Sequence, residues 1–135
     1  MVYLTRREHF NAAHRLYVEH WDEARNQEVF GRCANPHWHG HNYDLLVTVK
    51  GEPDPDTGFL INAKRLSALI KQEIVEVFDH KNLNMDVPHF QDRQPSTENF
   101  VRVIWELLEP HLEGCRLHCI ELRETESISC AYYGE

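Results

Sequence analysis

Alternation of polar and apolar residues predicts four β-strands. Residues 2–13 alternate, and so do residues 42–50, where every second side chain from Tyr43 onward is apolar. Side chains two apart on a strand leave the same face, so this pattern is typical of strands with one buried face. Third and fourth strands are predicted at residues 117–124 and 127–133.

Two segments between these strands have apolar residues at helical spacing. The first follows Asn62, a favoured N-cap residue, over residues 63–78, and the second begins after residues 95–97. Their apolar stripes are Leu66, Leu69, Ile70, Ile74, Val77 and Phe78 in the first, and Phe100, Val103, Ile104, Leu107, Leu108 and His111 in the second. Residues 15–32 are predicted to form a long loop, and residues 51–58 a turn that leads to a short extended piece at 59–61.

The order strand, strand, helix, helix, strand, strand predicts an α+β fold in which the helices cover an antiparallel sheet. At 135 residues the chain is long enough for one domain with a real core and short for two. No internal repeat or linker interrupts it, so residues 1–135 are predicted to form a single domain.

The charge balance is acidic, with 22 Asp and Glu against 14 Lys and Arg and a net charge of −8. Such a chain is unsuited to non-specific binding of nucleic acid or of an anionic membrane. The four cysteines form no CxxC pair, the N-terminus lacks the apolar core of a signal peptide, and no run approaches the ~20 apolar residues of a membrane span. These features favour a cytoplasmic protein with reduced thiols.

Residues 33–41 hold one thiol and three imidazoles. His37, His39 and His41 alternate just before the second strand, so their side chains leave one face of an extended backbone. Imidazoles arranged in this way suit zinc, which takes nitrogen ligands at about 2.0–2.1 Å. The alternative is a loop that is merely rich in histidine.

The residues alone do not decide which side chain is the third ligand of such a site. Three alternating histidines span about 13 Å at ~3.3 Å per residue, so one ion reaches His39 and His41 readily. It reaches His37 only if Gly40 bends the strand, and the rival is His14, at the end of a neighbouring strand. Three protein ligands with an open fourth position predict a catalytic rather than a structural zinc site.

Two further groups suit proton transfer. Cys33 lies near the histidines, and a thiol beside a metal or a cationic side chain loses its proton more readily, which makes it a candidate base or nucleophile. The alternative, a small buried residue, fits the other three cysteines better. Asp79 and His80 end the first helix, where a carboxylate can hold an imidazole in one tautomer, although helix ends carry such residues for capping reasons too.

Glu124 ends the third strand in phase with Ile120 and Leu122, so it is predicted to point inward. A buried carboxylate must be paired, either by a ligand that donates two parallel N–H groups or by an Arg or Lys. Residues 96–98 are first of all a helix start, with hydroxyl capping and an acidic first turn, and only secondarily a binding segment.

Taken together, these segments resemble the 6-pyruvoyl-tetrahydropterin synthase family. The matching segments are Phe10-Asn-Ala-Ala-His-Arg-Leu16, Phe30-Gly-Arg-Cys33, Asn35-Pro36, His39-Gly-His-Asn-Tyr43, Gly51-Glu-x-Asp-Pro-x-Thr-Gly58, Asp79-His-Lys-Asn-Leu-Asn84, Pro95-Ser-Thr-Glu-Asn99 and Glu124-Thr125. They cover nearly the whole chain in the family's order, and their joint match is highly specific.

The resemblance implies a role for each matching position. The implied zinc ligands are His14, His39 and His41, the implied catalytic residues are Cys33, Asp79 and His80, and the implied pterin-binding residues are Glu124, Ser96, Thr97 and Glu98. It also implies the tunnelling fold, a four-stranded antiparallel sheet with two helices on one face. Trimers of this fold close their sheets into a barrel, and two trimers stack into a homohexamer with active sites between subunits.

The implied reaction is that of a zinc-dependent lyase in tetrahydrobiopterin biosynthesis. It converts a small-molecule substrate, 7,8-dihydroneopterin triphosphate, to 6-pyruvoyl-tetrahydropterin and releases triphosphate. Candidates to hold the triphosphate are Arg15, Lys64 and Lys81. The chain departs from the animal enzymes at His37-Trp38, where they have an Asn-Gly type pair, and at Ser96, where threonine is usual; the first departure could alter substrate or product handling.

Three other functions compete with this one. The sister enzyme of queuosine biosynthesis, 6-carboxytetrahydropterin synthase, uses the same triphosphate, zinc and thiol but releases acetaldehyde. Here five residues separate Cys33 from His39, which resembles the longer loop of the pyruvoyl type. A zinc-dependent pterin-binding protein without turnover and a structural zinc module are alternatives of a different class.

Overall fold

The fold is organised on one mixed β-sheet. Its strands are β1 (Val2–His14), β2 (His39–Gly51), β3 (Lys81–Asn82), β4 (Arg116–Arg123) and β5 (Ser129–Tyr132). They lie in the order β3-β1-β2-β4-β5, and all neighbours pair antiparallel except β3, which pairs parallel with β1. The computed structural model describes every residue of the chain, from Met1 to Glu135.

The pairing of β1 with β2 brings the histidines together. The two strands are in register along their whole length, and His14 lies opposite His39 at one end. His14 faces the same side of the sheet as the buried Phe10, and His39 and His41 face the same side as the buried Tyr43. Three imidazoles therefore meet at one end of the sheet, on its buried face.

Three helices complete the fold. Helix α1 spans Glu23–Phe30 and α3 spans Thr97–Leu108. Between them, α2 runs without a break as α-helix over Ala63–Ile70, as one π-helical turn over Lys71–Val75 and as α-helix again over Glu76–Phe78. None of these helices has both the length and the apolar character needed to cross a lipid bilayer.

The π-helical turn keeps the apolar stripe of α2 on the sheet. Its buried residues Leu66, Ile70, Ile74 and Phe78 are spaced four apart. At 3.6 residues per turn, each such step rotates the stripe by about 40°, or about 120° over three steps. The π-helical turn takes up more residues than an α-helical one, which reduces this drift.

Phe100 of α3 lies at the centre of the core between the helices and the sheet. Its ring contacts those of Phe10, Tyr43, Phe78 and Phe90, with centroid distances from 4.9 to 5.7 Å. Phe10 stacks on Tyr43 across the strands at 5.2 Å. The aromatic cluster joins both long helices to the end of the sheet that carries the histidines.

The predicted α+β class and its main elements are confirmed. The predicted strands correspond to β1, β2, β4 and β5, and the two predicted helices to α2 and α3. The four-stranded antiparallel sheet is wrong in one respect, because a fifth strand, β3, pairs parallel with β1 just after α2. A two-residue strand has too short a pattern to be recognised from sequence.

One loop prediction is also wrong. Residues 15–32 contain α1, which has no apolar stripe and depends on local hydrogen bonds instead. Asp22 caps it by accepting the N–H of Arg25 (2.8 Å), and the buried Asn26 side chain bonds the backbone N–H and carbonyl of Val18 at 2.8 and 3.0 Å. Residues 59–61, predicted to be a short extended piece, pair with no strand of the sheet.

Glu8 is a buried carboxylate of β1 that contacts α2. Its Oε1 accepts hydrogen bonds from the Ser67 hydroxyl (2.5 Å) and from Arg6 Nε (3.0 Å). Burial alone would raise its pKa, but these two bonds and the charge of Lys71 outweigh burial and hold the pKa of Glu8 below its usual value. The ionised carboxylate therefore stabilises the fold.

We expect the substitution Glu8→Gln to change how stability depends on pH. A carboxyl with a depressed pKa in the folded state stabilises the protein above its unfolded pKa of about 4.3, and that contribution is lost as the pH falls through the folded pKa. The variant should have an unfolding free energy about 1–3 kcal/mol lower than that of wild type at neutral pH. Below about pH 4 its unfolding free energy should fall less than that of wild type does. Urea unfolding at several pH values measures both, with the exposed Glu113→Gln as control. Parallel pH curves for wild type and Glu8→Gln would contradict this role.

Candidate active site

Three imidazoles and a carboxylate converge where β1 and β4 end and β2 begins. His14, His39, His41 and Glu124 each offer one ligand atom, and these atoms all lie within 4.8 Å of one another. His41 Nε2 is 3.1 Å from His14 Nε2 and 2.9 Å from Glu124 Oε1, which in turn is 3.4 Å from His14 Nε2. We call the three histidines the imidazole group, and Glu124 lies at its edge. Such a set of nitrogen and oxygen donors suits a divalent metal ion.

A backbone carbonyl decides which nitrogen of His14 is free. Nδ1 of this fully buried ring lies 2.7 Å from the carbonyl oxygen of Pro95 and must donate, because a carbonyl only accepts. In the neutral ring Nε2 then carries a lone pair, which faces His41 Nε2 and the carboxylate of Glu124. Acceptor atoms this close repel one another unless a proton or a cation lies among them. The arrangement therefore fits a metal site whose ligand is oriented by a second hydrogen bond.

His39 has the properties of a third ligand. Burial lowers its pKa, and the rings of His14 and His41 lower it further, so the neutral form that binds metals is favoured. Its Nδ1 is buried without a hydrogen-bond partner in the protein, which is uncommon. Tetrahedral bonds of about 2.0–2.1 Å separate two ligand atoms by about 3.3 Å. The 3.1 Å between the Nε2 atoms of His14 and His41 is close to that separation.

Glu124 points inward, as its phase with the buried Ile120 and Leu122 predicts. Neither an Arg nor a Lys pairs with it. Donation from Nε2 of His14 and then of His41, when protons occupy those nitrogens, holds the pKa of Glu124 well below its usual range. The carboxylate is therefore ionised at the edge of the imidazole group, where it can bind a cation or accept N–H groups from a ligand.

Cys33 lies in a short 3₁₀-helical turn, Gly31–Ala34, that is tied to the end of β1. Its carbonyl oxygen accepts the N–H of Leu16 (2.8 Å), two residues after His14. Burial raises the pKa of the half-buried thiol, and the negative charge of Glu124 raises it further. The surrounding side chains alone thus favour the neutral thiol over the thiolate that was predicted from the sequence. A cation held by the imidazoles would favour the thiolate.

Asp79 and His80 form a hydrogen-bonded pair directly after α2. His80 Nδ1 lies 2.9 Å from Asp79 Oδ2, and the backbone N–H of Asn11 donates to Asp79 Oδ1 at 2.8 Å. The bond from Asn11, and after it the bond from His80, hold the pKa of Asp79 below its usual value. His80 has a left-handed backbone, with φ of 59°, and its side chain is 77% exposed.

His80 borders an open part of the surface beside β1. It lines a cavity of about 580 Å³ together with Asn11 and Ala13. His41 of the imidazole group lines the same cavity. The Asp79–His80 pair is therefore open to a ligand, and one residue of the imidazole group borders the same space.

The segment before α3 lies against His14 through the Pro95 carbonyl. Ser96 caps α3, and its hydroxyl oxygen accepts a backbone N–H at 3.3 Å. Thr97 is buried and its hydroxyl has no hydrogen-bond partner in the protein. Glu98 is exposed and accepts the Cys130 thiol at 3.6 Å. All three residues therefore keep hydrogen-bonding capacity for a ligand, since the Ser96 hydroxyl can still donate its O–H.

Residues 3–135 match the family model described as 6-pyruvoyl tetrahydropterin synthase. The chain belongs to this family. It is 42% identical over 132 residues to the 6-pyruvoyl tetrahydrobiopterin synthase of Homo sapiens, which covers 98% of this chain and 91% of that protein. The structure resembles that of the Caenorhabditis elegans 6-pyruvoyl tetrahydropterin synthase, with a TM-score of 0.92 and 32% identity over 99% of this chain and 96% of that one.

The sister enzyme is a more distant relative. The 6-carboxy-5,6,7,8-tetrahydropterin synthase of Bacillus subtilis is 30% identical over 113 residues, which cover 78% of this chain and 73% of that protein. The family resemblance read from the sequence is therefore confirmed, and so is its tunnelling fold.

Within this family's fold, two contributors to the site were missed in the sequence. Pro95 acts through its carbonyl oxygen, and no residue type reveals where a carbonyl points. Tyr43 follows His41 on the same face of β2, and that alternation was a usable signal. The phenol is fully buried, and burial raises its pKa, with Glu124 and then Cys33 adding to the effect.

The departure from the family pattern at His37-Trp38 has a structural consequence. His37 is exposed and lies outside the imidazole group. Trp38 has φ of 68°, a left-handed conformation that is rare for a bulky residue, in a turn where its N–H bonds the carbonyl of Asn35 at 3.2 Å. An Asn-Gly type pair adopts this conformation more easily.

The candidates for triphosphate binding lie in three different places. Arg15 donates its Nε to the carbonyl of Ala34 at 2.9 Å, beside Cys33. Lys81 lines the same cavity as His80. Lys64 lies near Tyr3, at the end of the sheet far from the histidines, so it does not serve the imidazole group of its own chain.

Proposed function

We propose that this chain is a zinc-dependent lyase that converts 7,8-dihydroneopterin triphosphate to 6-pyruvoyl-tetrahydropterin and releases triphosphate. The observation that carries this proposal is the convergence of three imidazoles and a carboxylate within 4.8 Å, beside a thiol, in a chain of this family. The 42% identity to the human 6-pyruvoyl tetrahydrobiopterin synthase favours the pyruvoyl product over the carboxy product.

His14, His39 and His41 would hold the ion. Three neutral imidazoles with an open fourth position are a ligand set that zinc takes in catalytic sites. When bound, the ion would act as a Lewis acid on the hydroxyl oxygens of the substrate side chain and lower their pKa values. The hydrogen bond from His14 to the Pro95 carbonyl keeps Nε2 of that ring directed at the ion.

Two groups of the chain would move protons. Cys33, as the thiolate, would remove a carbon-bound proton from the substrate side chain. His80, held in one tautomer by Asp79, would transfer a second proton. Triphosphate leaves and the side chain isomerises to a diketone.

The position of His80 supports a site shared between subunits. Because the His80 ring is 77% exposed and lines an open cavity, we propose that the Asp79–His80 pair acts on substrate bound at the imidazole group of a neighbouring copy. A homohexamer made of two trimers, in which sheets close into barrels, would provide that arrangement.

Glu124 would anchor the pterin by accepting its amino and ring N–H groups, with Ser96, Thr97 and Glu98 at neighbouring ring-binding positions. Two charge-assisted hydrogen bonds to one carboxylate are strong. We expect Glu124→Gln to raise KM by about 10–100-fold. The amide replaces one acceptor oxygen of the carboxylate by an N–H donor, which then faces an N–H donor of the pterin.

The metal content of Glu124→Gln should equal that of wild type. Elemental analysis checks this point, and Glu126→Gln, an exposed neighbour, serves as the control for the kinetics. Loss of metal from Glu124→Gln would assign the carboxylate to the ion and not to the pterin.

Product identification tests the proposed function. Purified protein supplied with zinc is incubated with 7,8-dihydroneopterin triphosphate, and the pterin is identified by mass spectrometry. We expect a pyruvoyl pterin together with free triphosphate. A carboxy pterin with acetaldehyde would assign the sister activity, and unchanged substrate that remains bound would indicate a pterin-binding protein without turnover.

A further inference from the structure

Tyr43 joins the aromatic core to the imidazole group. Its ring stacks on Phe10 at 5.2 Å and meets Phe100 edge-on at 5.6 Å. It also meets the rings of His41 and His14 at centroid distances of 5.7 and 6.5 Å. The residue is 0% exposed, and its hydroxyl has no hydrogen-bond partner in the protein.

A buried hydroxyl without a partner is uncommon, because its burial costs free energy that a hydrogen bond normally offsets. Only four buried side-chain polar atoms in the chain lack a partner, and three of them belong to His39, Tyr43 and Thr97. His39 belongs to the imidazole group, and Thr97 lies two residues after Pro95, whose carbonyl accepts the hydrogen bond of His14. The polar atoms without partners are therefore concentrated around one site, as expected where a ligand supplies the missing bonds.

The ring of Tyr43 packs edge-on against two rings of the imidazole group, those of His41 and His14, and its hydroxyl is buried. An ordinary phenol has a pKa near 10, so the group is a neutral donor at physiological pH. It is thus a buried O–H group without a partner, beside the imidazole group.

We propose that the Tyr43 hydroxyl donates a hydrogen bond to an oxygen of the substrate side chain during turnover. This inference rests on the proposed lyase function. When that oxygen gives up its own proton as the side chain isomerises to a ketone, negative charge develops on it. A fixed donor in a buried site stabilises such charge more than it stabilises the neutral hydroxyl of the bound substrate, so it lowers the barrier.

The substitution Tyr43→Phe tests this role because it removes one oxygen and keeps the ring against Phe10 and Phe100. We expect kcat to fall by about 10²-fold, the lower end of the effect of removing one such donor. KM should change by less than about threefold, since a bond made chiefly in the transition state lowers kcat and not substrate affinity. Tyr132→Phe, which removes the hydroxyl of a ring packed on Trp105 away from the site, is the matched control.

Two readouts separate this role from a structural one. The melting temperature of Tyr43→Phe should be no lower than that of wild type, because no hydrogen bond within the protein is lost, and its zinc content should be unchanged. A fall in kcat accompanied by a lower melting temperature or lost zinc overturns the inference. An equally active Tyr43→Phe overturns it too and leaves the lyase function intact, whereas a wild-type protein that forms no product overturns both.

Discussion

Replacement of Cys33 by alanine is expected to lower kcat by about 10²–10⁴-fold, the usual contribution of one general acid or base. The thiol is close enough to the imidazole group for the carboxylate of Glu124 to raise its pKa. Its half-buried side chain is small, so its loss should leave the fold and the metal content unchanged. Single-turnover kinetics with 7,8-dihydroneopterin triphosphate measure the chemical step directly.

Cys115→Ala is the matched control for Cys33→Ala. Cys115 is also a half-buried free thiol with a raised pKa caused by burial, but it packs against the core at the other end of β4 from Glu124. The control should retain wild-type kcat. Full activity in Cys33→Ala would contradict a role as base and would favour a binding protein or a different proton acceptor.

The second large effect is expected from the loss of an imidazole. His39→Ala removes one of three proposed ligands. Loss of a ligand's hydrogen-bond partner alone lowers metal affinity by about 10–100-fold, so we expect loss of the ligand itself to lower the zinc affinity by more than that. Activity should then fall at least as far as in Cys33→Ala. Titration with zinc, followed by elemental analysis, measures the affinity and the stoichiometry.

His37→Ala is the natural control, because His37 is two residues away on the same segment but exposed and outside the imidazole group. It should bind zinc like wild type. Equal losses of zinc in the two variants would show that the segment, and not the specific ring, is required.

Removal of zinc by a chelator should abolish activity and leave the circular dichroism spectrum unchanged, since the core is built by helices and strands without the ion. Unfolding on chelation would instead indicate a structural zinc module.

The sequence predicted the parts of the fold that have a strong period. Alternation identified β1 and β2 because one face of each is buried along most of its length, and the apolar stripe of α3 is uninterrupted. It missed α1, whose stability comes from the Asp22 cap and the Asn26 side chain and not from an apolar face. It also missed β3, whose formation depends on its pairing with β1, a strand distant in sequence.

The site was predictable as far as it depends on residue type and alternation. The spacing of His39 and His41 indicated two ligands, but the choice between His37 and His14 required the register of β1 on β2, which no local pattern contains. The carbonyl of Pro95 and the unpartnered hydroxyl of Tyr43 are properties of the packed structure. The pKa of Cys33 differs from expectation for the same reason, because burial and Glu124 act on it before any cation does.

The most direct test of the account is X-ray absorption spectroscopy at the zinc edge of the wild-type protein loaded with one equivalent of zinc. We expect three nitrogen neighbours at about 2.0–2.1 Å with the outer-shell scattering of imidazole, and no sulfur neighbour. A sulfur at about 2.3 Å would make Cys33 a ligand and remove it as the base. Fewer than three imidazoles would contradict the convergence of His14, His39 and His41 on a single ion.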